Sequence, residues 1–252
     1  MIYKYENINI NYDIIGSGNP IILLHGWGTN YNTFKNLSNL LKNYFEVFLI
    51  DLPGFGKSGE PPHIYNLDNY LHFLNTFIEE LQIENPIILG HSFGGRIAIK
   101  YSAISKNISK LILVDSAGIK HKKKISTRLS ILKYKWLKFY YRKTKNITKF
   151  NQLIKVSGSS DYISSSNIMK GTMTKVINEN LKSQLSKIKV ETLIIWGKDD
   201  QATPYSDAIL MKNKIKNSGL VTFENVGHFP YLERKNQFNR VIASFLGVDL
   251  ND

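Results

Sequence analysis

Cysteine is absent from this chain of 252 residues. Without thiols the protein can form no disulfide, no thiolate metal site and no cysteine nucleophile, so a nucleophile would have to be another residue type. This absence is compatible with a reducing compartment. Hydrophobic residues nevertheless make up 42% of the chain and aromatic residues 12%, which is enough to bury the core of a folded domain.

Long apolar runs are also missing. No stretch approaches the ~18 consecutive apolar residues that a membrane-spanning helix needs. The first ten residues, MIYKYENINI, carry charges where a secretion signal would be apolar. From these two absences we expect a soluble, cytoplasmic protein, and the sequence leaves its oligomeric state open.

Acidic residues are scarce in one internal segment, residues 119–189. It holds 18 lysine and arginine residues against only Asp161 and Glu179, and it therefore accounts for the whole of the chain's net charge of +13. Its pattern is mostly helical and interrupts the rhythm of the flanking sequence. We predict that this basic segment is an insertion between two strands of a sheet.

Short apolar runs alternate with amphipathic stretches through the rest of the chain. Continuous apolar runs are typical of strands buried on both faces, as in a mostly parallel sheet, and the alternation predicts an α/β fold. The predicted strands are Ile2–Glu6, Ile8–Ile15, Ile21–Leu24, Val47–Ile50, Ile87–Leu89, Leu111–Val114, Leu193–Trp196 and Leu220–Phe223. The predicted helices include Leu67–Leu81, Arg96–Ser105 and Tyr231–Leu246.

The strongest chemical signal is the stretch PIILGHSFGG, in which an apolar strand leads through Gly90 and Ser92 into a helical pattern. This is the G-x-S-x-G nucleophile elbow in its strand–turn–helix context, where a sharp turn lifts the serine hydroxyl off the sheet. Gly90 and Gly94 keep side chains out of the crowded turn. His91 stands beside the serine, and its side chain is expected to point away from it.

A serine hydroxyl is a poor nucleophile and needs a base, which in turn needs a carboxylate to orient it. His228 follows Gly227 and a late apolar strand, where a loop can reach a nucleophile at the same edge of the sheet. The stretch TLIIWGKDDQATP offers Asp199 and Asp200, and its spacing favours Asp200. Asp115, just after an earlier strand, is an alternative for the same role.

Acyl transfer also builds negative charge on a carbonyl oxygen, which two backbone N–H groups can stabilise. One donor in such a site follows the nucleophile, and here it is the N–H of Phe93. The second comes from the loop after an earlier strand, and the turn His25-Gly26-Trp27-Gly28 predicts the N–H of Trp27.

Taken together, LLHGWG, DLPGFGKS, GHSFGG, WGKDD and GHFPYLE resemble the α/β-hydrolase superfamily over nearly the whole chain outside the basic segment. The sequence is similar in style to small carboxylesterases, to meta-cleavage-product hydrolases and to pimeloyl-[acyl-carrier protein] methyl ester esterases. The serine at the elbow argues against the dehalogenases and epoxide hydrolases of this fold, which use an aspartate there.

The resemblance implies an α/β-hydrolase fold with a mostly parallel eight-stranded sheet flanked by helices and a helical cap between strands six and seven. It thus assigns residues 1–118 and 190–252 to the core domain and 119–189 to the cap. It implies no metal and no organic cofactor.

The cap sequence STRLSILKYKWLKFYYRKTK carries an apolar stripe, which includes Trp136, among many lysines. Such a basic amphipathic helix is typical of docking to an anionic lipid surface or an acidic partner, here an acidic acyl carrier. The stripe can instead cover the active site, with the lysines in solvent. No nucleic-acid partner is expected, because no recognised binding fold accompanies the charge.

The sequence therefore predicts a serine hydrolase that cleaves a carboxylic ester or thioester of a small molecule through an acyl-enzyme on Ser92. One alternative is a carbon–carbon bond hydrolase of the meta-cleavage type, in which Arg96 is a candidate contact for a substrate carboxylate. Trp136 is a second candidate for substrate binding. Another alternative is a ligand-binding protein that keeps the fold without turnover.

Overall fold

Eight strands form one sheet in the computed structural model, which describes residues 1–121, 136–137, 140–141, 143–144, 149 and 165–249. Their order across the sheet is β1-β2-β4-β3-β5-β6-β7-β8. The first two strands pair antiparallel and β2 joins β4 antiparallel, whereas every pairing from β4 to β8 is parallel. The strands are β1 (Ile2–Tyr5), β2 (Ile8–Ile15), β3 (Asn19–Leu24), β4 (Phe45–Ile50), β5 (Ile87–His91), β6 (Lys110–Val114), β7 (Glu191–Gly197) and β8 (Ser218–Phe223).

The predicted α/β-hydrolase fold is confirmed, and each predicted strand coincides with an observed one to within a few residues. The apolar runs explain why the central strands are covered on both faces. In β3, Ile22 and Leu24 pack into one hydrophobic cluster, while Ile21 and Leu23 pack into a second cluster on the opposite face. All four side chains are fully buried, as the continuous apolar run predicts.

Helices cover both faces of the sheet. Their bounds are α1 (Lys35–Leu41), which follows a 3₁₀ turn at Tyr31–Phe34, α2 (Leu67–Glu80), α3 (Phe93–Ser102), α4 (Asn167–Asn178), α5 (Tyr205–Lys214), α6 (Pro230–Glu233) and α7 (Lys235–Leu246). Within the part of the chain that the structure describes, no helix is both long and apolar enough to cross a membrane.

Two helix predictions need correction. Helix α3 begins at Phe93, three residues before the predicted start, because the chain turns directly from β5 into the helix. The single helix predicted over Tyr231–Leu246 is two helices, α6 and α7, since the backbone of Arg234 leaves the helical region with φ of −132° and ψ of 49°.

The chain between β6 and β7 contains the basic segment, of which the structure describes chiefly α4 and a 3₁₀ turn at Leu185–Lys187. Helix α4 buries Met169, Thr172 and Val176. The division into a core and a cap at residues 119–189 stays a prediction. Of the apolar stripe, Leu129, Leu132 and Phe139 lie outside the described residues, whereas Trp136 is 61% exposed and stacks on Tyr140.

Candidate active site

Ser92 lies on a sharp turn between β5 and α3. Its backbone has φ of 49° and ψ of −108°, in the left-handed half of the map that non-glycine residues rarely occupy. Two backbone hydrogen bonds fix this turn: the N–H of Ser92 donates to Val114, and the carbonyl of Ser92 accepts from Ala117, both at 3.0 Å. The strain therefore presents the hydroxyl at the carboxyl edge of the sheet, at the first residue before a helix.

Glycines are required on both sides of the serine. A Cβ on Gly94 would lie 2.1 Å from the carbonyl oxygen of Leu24, and a Cβ on Gly90 would lie 2.6 Å from that of Gly94. Both distances are far shorter than any van der Waals contact. The glycines of the motif thus allow α3 to start directly against β3 and β5.

His228 and Asp200 complete a chain of hydrogen bonds with Ser92. The Ser92 Oγ lies 2.9 Å from Nε2 of His228, and Nδ1 of the same ring lies 2.6 Å from Oδ2 of Asp200. Asp200 follows β7 and His228 follows β8, so parallel strands deliver all three groups to the same edge of the sheet. The structure therefore brings together the three residues that the sequence singles out for nucleophile, base and orienting acid.

The environment of Asp200 favours its charged form. Its carboxylate accepts hydrogen bonds from the N–H of Ala202 at 2.7 Å, from the N–H of Thr203 at 3.1 Å and from the Thr203 hydroxyl at 2.5 Å. Burial alone would raise the pKa of Asp200, but the hydrogen bonds from His228 and Thr203 outweigh it and lower the pKa to about 2. Asp199, by contrast, is exposed. The neighbour predicted to orient the base is thus the one that faces it.

Asp115 lies beside this pair and behaves differently. It is fully buried, and its Oδ1 accepts the N–H of Gly197 at 2.9 Å. Burial is the main reason that the pKa of Asp115 is raised to about 9, and the charge of Asp200 contributes to this rise. Asp115 therefore keeps its proton at neutral pH and does not supply the negative charge that orients His228.

Donor atoms of Asp115, Asp200 and His228 lie within 4.8 Å of one another, which is close enough to hold a metal ion. The geometry within the group is that of a proton chain, because Asp200 and His228 already bond each other at 2.6 Å. The chemistry of this set fits the orientation of a base with a neutral acid beside it.

The turn at Trp27 packs over the elbow. The rings of Trp27 and Phe93 meet edge to face at 5.2 Å, and both also contact Phe55. Phe93 is the first residue of α3, so its N–H has no acceptor within the helix. The carbonyl of His25 accepts the N–H of Gly94 at 3.1 Å, which joins the turn directly to α3. This contact joins the turn that carries Trp27 to the start of α3, which carries Phe93.

His25 anchors the same turn in a way that the sequence did not reveal. Its Nε2 accepts the N–H of Leu52 at 3.0 Å, so Nδ1 carries the proton that it donates to the carbonyl of Gly26 at 2.8 Å. Burial lowers the pKa of His25 to about 4 and keeps the ring neutral. The only sequence signal for this role is its place directly before Gly26 at the end of a strand.

Neither of the two predicted substrate contacts is placed in contact with the Ser92 hydroxyl. Arg96 is 6% exposed, and its guanidinium donates to the carbonyls of Val176 at 3.1 Å and Glu179 at 3.0 Å, at the carboxyl end of α4. These bonds tie α3 to α4. The assignments of Arg96 and Trp136 as substrate contacts stay predictions.

A cavity of about 390 Å³ opens beside the turn. Its lining includes Trp27, Phe55 and the exposed Glu60, together with Ser166 and Met169 from the start of α4. A cavity of this size accommodates a small molecule. It lies between the turn that carries Trp27 and the chain between β6 and β7.

Family models match most of the described chain. Residues 19–148 match the model described as alpha/beta hydrolase fold, and residues 165–248 match one described as TAP-like protein. The chain is 32% identical to AB hydrolase superfamily protein YisY of Bacillus subtilis, over 95% of this chain and 96% of that protein.

Two further relatives have names that point to different reactions. A 2-hydroxy-6-oxononadienedioate/2-hydroxy-6-oxononatrienedioate hydrolase of Pseudomonas putida is 26% identical, over 95% of this chain and 92% of its own length. The solved structure of an esterase from Exiguobacterium antarcticum is 28% identical, covers 95% of this chain and 96% of its own, and superposes with a TM-score of 0.74.

Proposed function

Because the chain belongs to the α/β-hydrolase fold family, we propose that it is a serine hydrolase that cleaves a carboxylic ester or thioester. One observation carries this proposal: the unbroken hydrogen-bonded chain from Ser92 through His228 to Asp200. A nucleophile, a base and a group that orients the base, in that order, are what acyl transfer to serine needs.

In the first half of the reaction, Oγ of Ser92 forms a bond to the acyl carbon and its proton passes to Nε2 of His228. The bond from the acyl carbon to the leaving oxygen or sulfur then breaks, and the same proton goes to the leaving group. In the second half, His228 takes a proton from water, whose oxygen attacks the acyl-enzyme. The bond between the acyl carbon and Oγ then breaks, His228 returns the proton to Oγ, and the acid is released.

Two further parts stabilise charge during these steps. The N–H groups of Trp27 and Phe93 would donate to the oxyanion, and the loss of one such donor typically slows the reaction by ~10²–10³-fold. Asp200, whose pKa of about 2 keeps it ionised, would stabilise the protonated form of His228 and hold its Nδ1–H tautomer.

A carbon–carbon bond hydrolase is the second candidate, and the similarity to the Pseudomonas putida hydrolase favours it. The same three residues could serve that reaction. Its substrate carries a carboxylate that a basic residue would bind, yet Nη1 of the buried Arg96 already donates to the backbone carbonyls of Val176 and Glu179. The ester reaction needs no such contact, and we therefore prefer it.

The test is hydrolysis of p-nitrophenyl esters of graded chain length by the wild type, Ser92→Ala and Ser244→Ala. Ser244 lies on the exposed face of α7 and serves as the matched control. We expect Ser92→Ala to lose ~10⁴-fold or more in kcat, as loss of a nucleophilic serine does elsewhere, and the control to keep full activity.

Retention of activity by Ser92→Ala would contradict the proposal. If the wild type hydrolyses no ester, a fluorophosphonate probe distinguishes between the two remaining hypotheses, a carbon–carbon bond hydrolase and a binding protein. Rapid labelling of Ser92 would favour the carbon–carbon hydrolase, whereas poor labelling would favour a binding protein without turnover.

We also propose that the basic segment presents the substrate, through an acidic acyl carrier or an anionic lipid surface. Residues 119–189 hold 18 basic residues against two acidic ones, which supports the proposal because a surface of one sign attracts an oppositely charged partner.

A further inference from the structure

Three hydrogen bonds hold the main chain around His228, one each at Gly227, His228 and Phe229. One carboxylate, that of Glu233, accepts the N–H of Gly227 at 3.0 Å and the N–H of Phe229 at 3.2 Å. The carbonyl of His228 itself lies 2.8 Å from Nε2 of His91. The main chain at the proposed base and at both neighbouring residues is therefore held by two side chains, Glu233 and His91, that have no role in the proposed mechanism.

The chemistry of these contacts fixes the proton of His91. A carbonyl oxygen can only accept, so Nε2 of His91 must carry the hydrogen that it donates to His228. Its Nδ1 is then a lone pair, and the hydroxyl of Tyr231 donates to it from 3.2 Å. The ring is 1% exposed, and burial lowers its pKa to about 3. His91 is thus a neutral ring in one tautomer across the pH range in which the protein would work.

The contact between His91 and His228 links the base to the residue that directly precedes the nucleophile. His91 directly precedes Ser92, so the backbone that carries the nucleophile and the side chain that holds the base belong to adjoining residues. The Gly26 turn packs on the same ring, because a Cβ on Gly26 would lie 2.8 Å from Nδ1 of His91. Movement of the loop at His228 is therefore resisted by the elbow itself.

The other contacts of His228 involve its ring and leave its main chain to be held by other groups. Asp200 and Ser92 bond only the imidazole. Those bonds orient the ring but do not fix where the main chain stands. The loop that carries His228 has no place in a strand or helix, since β8 ends at Phe223 and α6 begins at Pro230.

We propose that His91 and Glu233 are positioning residues that clamp the backbone of His228 and so hold its ring at proton-transfer distance from Ser92. This inference depends on the proposed serine mechanism. Because a displacement of the reacting groups by ~1 Å can cost ~10²-fold in rate, removal of the clamp should lower kcat more than it changes KM.

The experiment compares replacements that keep or remove the contact. His91→Gln keeps an N–H donor near the position of Nε2, while His91→Phe keeps a ring but no donor. We expect His91→Phe to lose ~10²-fold in kcat with KM changed by no more than about twofold. His91→Gln should recover most of this loss.

For the carboxylate, Glu233→Gln keeps one of the two acceptors and should lose less kcat than Glu233→Ala. The matched controls are His72→Gln and Glu224→Gln, both at exposed positions, and both should keep wild-type kcat. Glu224 pairs with the exposed Lys198.

A spectroscopic readout separates this inference from the proposed function. The proton of the 2.6 Å bond between His228 and Asp200 should give a downfield ¹H resonance even if no substrate is turned over. It should be lost or shifted in His91→Phe and restored in His91→Gln. An unchanged resonance and kcat in His91→Phe, or equal losses in both His91 variants, would overturn the clamp, whatever the substrate proves to be.

Discussion

At the scale of single residues, Asp115 makes the stability of the fold depend on pH. Its φ is 40°, it is fully buried, and its Oδ2 has no hydrogen-bond partner among the described residues. The folded protein keeps its proton up to a pKa of about 9, whereas an unfolded aspartate loses it near pH ~3.9. Between these values the unfolded state binds fewer protons, so this residue makes the free energy of unfolding fall as pH rises.

Asp115→Asn should remove that dependence. The amide mimics the neutral carboxyl and can still accept the N–H of Gly197. Relative to wild type, the variant should therefore become more stable by at least ~1 kcal/mol between pH 5 and pH 8. This is a lower bound, because a pKa shift of a single unit already corresponds to ~1.4 kcal/mol. Urea unfolding at the two pH values measures the difference.

Asp199→Asn is the control, since it removes an exposed carboxylate from the adjoining loop. A difference between Asp115→Asn and wild type that stays constant with pH would show that Asp115 is ionised in the folded protein.

Sequence spacing was enough to prefer Asp200 over Asp199 and Asp115, because the acid must stand a fixed distance past β7. The contacts of His91 and Glu233 were not predicted, because both involve main-chain atoms. His91 bonds a residue far away in sequence, and Glu233 bonds a loop whose conformation the sequence pattern does not define. Glu233 had one usable signal: an acidic residue a short step after the Gly-His pair, at a helix start.

At the scale of elements, the junction of β5 with α3 decides whether the site can form. The helix starts so close to β3 that the Gly94 position has no room for a side chain. Continuous apolar runs were sufficient to predict β3 to β7, because strands that are buried on both faces have few polar residues. The break at Arg234 carries no glycine or proline of its own, and it was therefore missed.

Gly94→Ala tests the junction. A methyl group there would meet the carbonyl oxygen of Leu24 at 2.1 Å, so either α3 or β3 has to move. We expect a loss of ~1–3 kcal/mol in the free energy of unfolding, as for other overpacked cores, and a fall in kcat because the Phe93 N–H moves with the helix. Urea unfolding and ester hydrolysis measure the two effects.

Gly219→Ala is the matched control. Gly219 is exposed in β8, and a Cβ there would meet nothing within 4 Å. It should be neutral or slightly stabilising, since alanine restricts the unfolded chain more than glycine does. Equal effects of the two substitutions would mean that the close approach at Gly94 is not rigid.

At the scale of the whole molecule, charge is divided between the fold and the basic segment. The core sequence carries the motifs and slightly more acidic than basic residues, while residues 119–189 carry the positive excess. The motifs made the core predictable because each glycine and polar residue there has a fixed geometric task. Composition alone carries no such information about how the basic segment folds or what it touches.

If the basic segment recruits an acidic carrier, its effect should weaken with salt. We expect kcat/KM for a carrier-linked ester to fall as the Debye length shrinks from ~10 Å at 0.1 M to ~3 Å at 1 M, while that for a small neutral ester stays nearly constant. The combined variant Lys133→Gln, Lys135→Gln and Lys138→Gln should reduce the salt dependence for the carrier-linked ester only.

The combined variant Lys212→Gln, Lys214→Gln and Lys216→Gln removes the same charge outside the basic segment and should leave the salt dependence intact. The same salt dependence for both esters would count against the recruitment of a charged partner.

The order of the strands has a consequence for folding during synthesis. Ser92 follows the fifth strand along the chain, whereas His228 follows the eighth, which lies at the end of the sheet beside β7. Domains assemble as units while synthesis proceeds from the amino end. If Ser92 and His228 act as proposed, the nascent chain cannot complete the site until the last strand has left the ribosome and docked, so that hydrolytic activity would itself report completed folding.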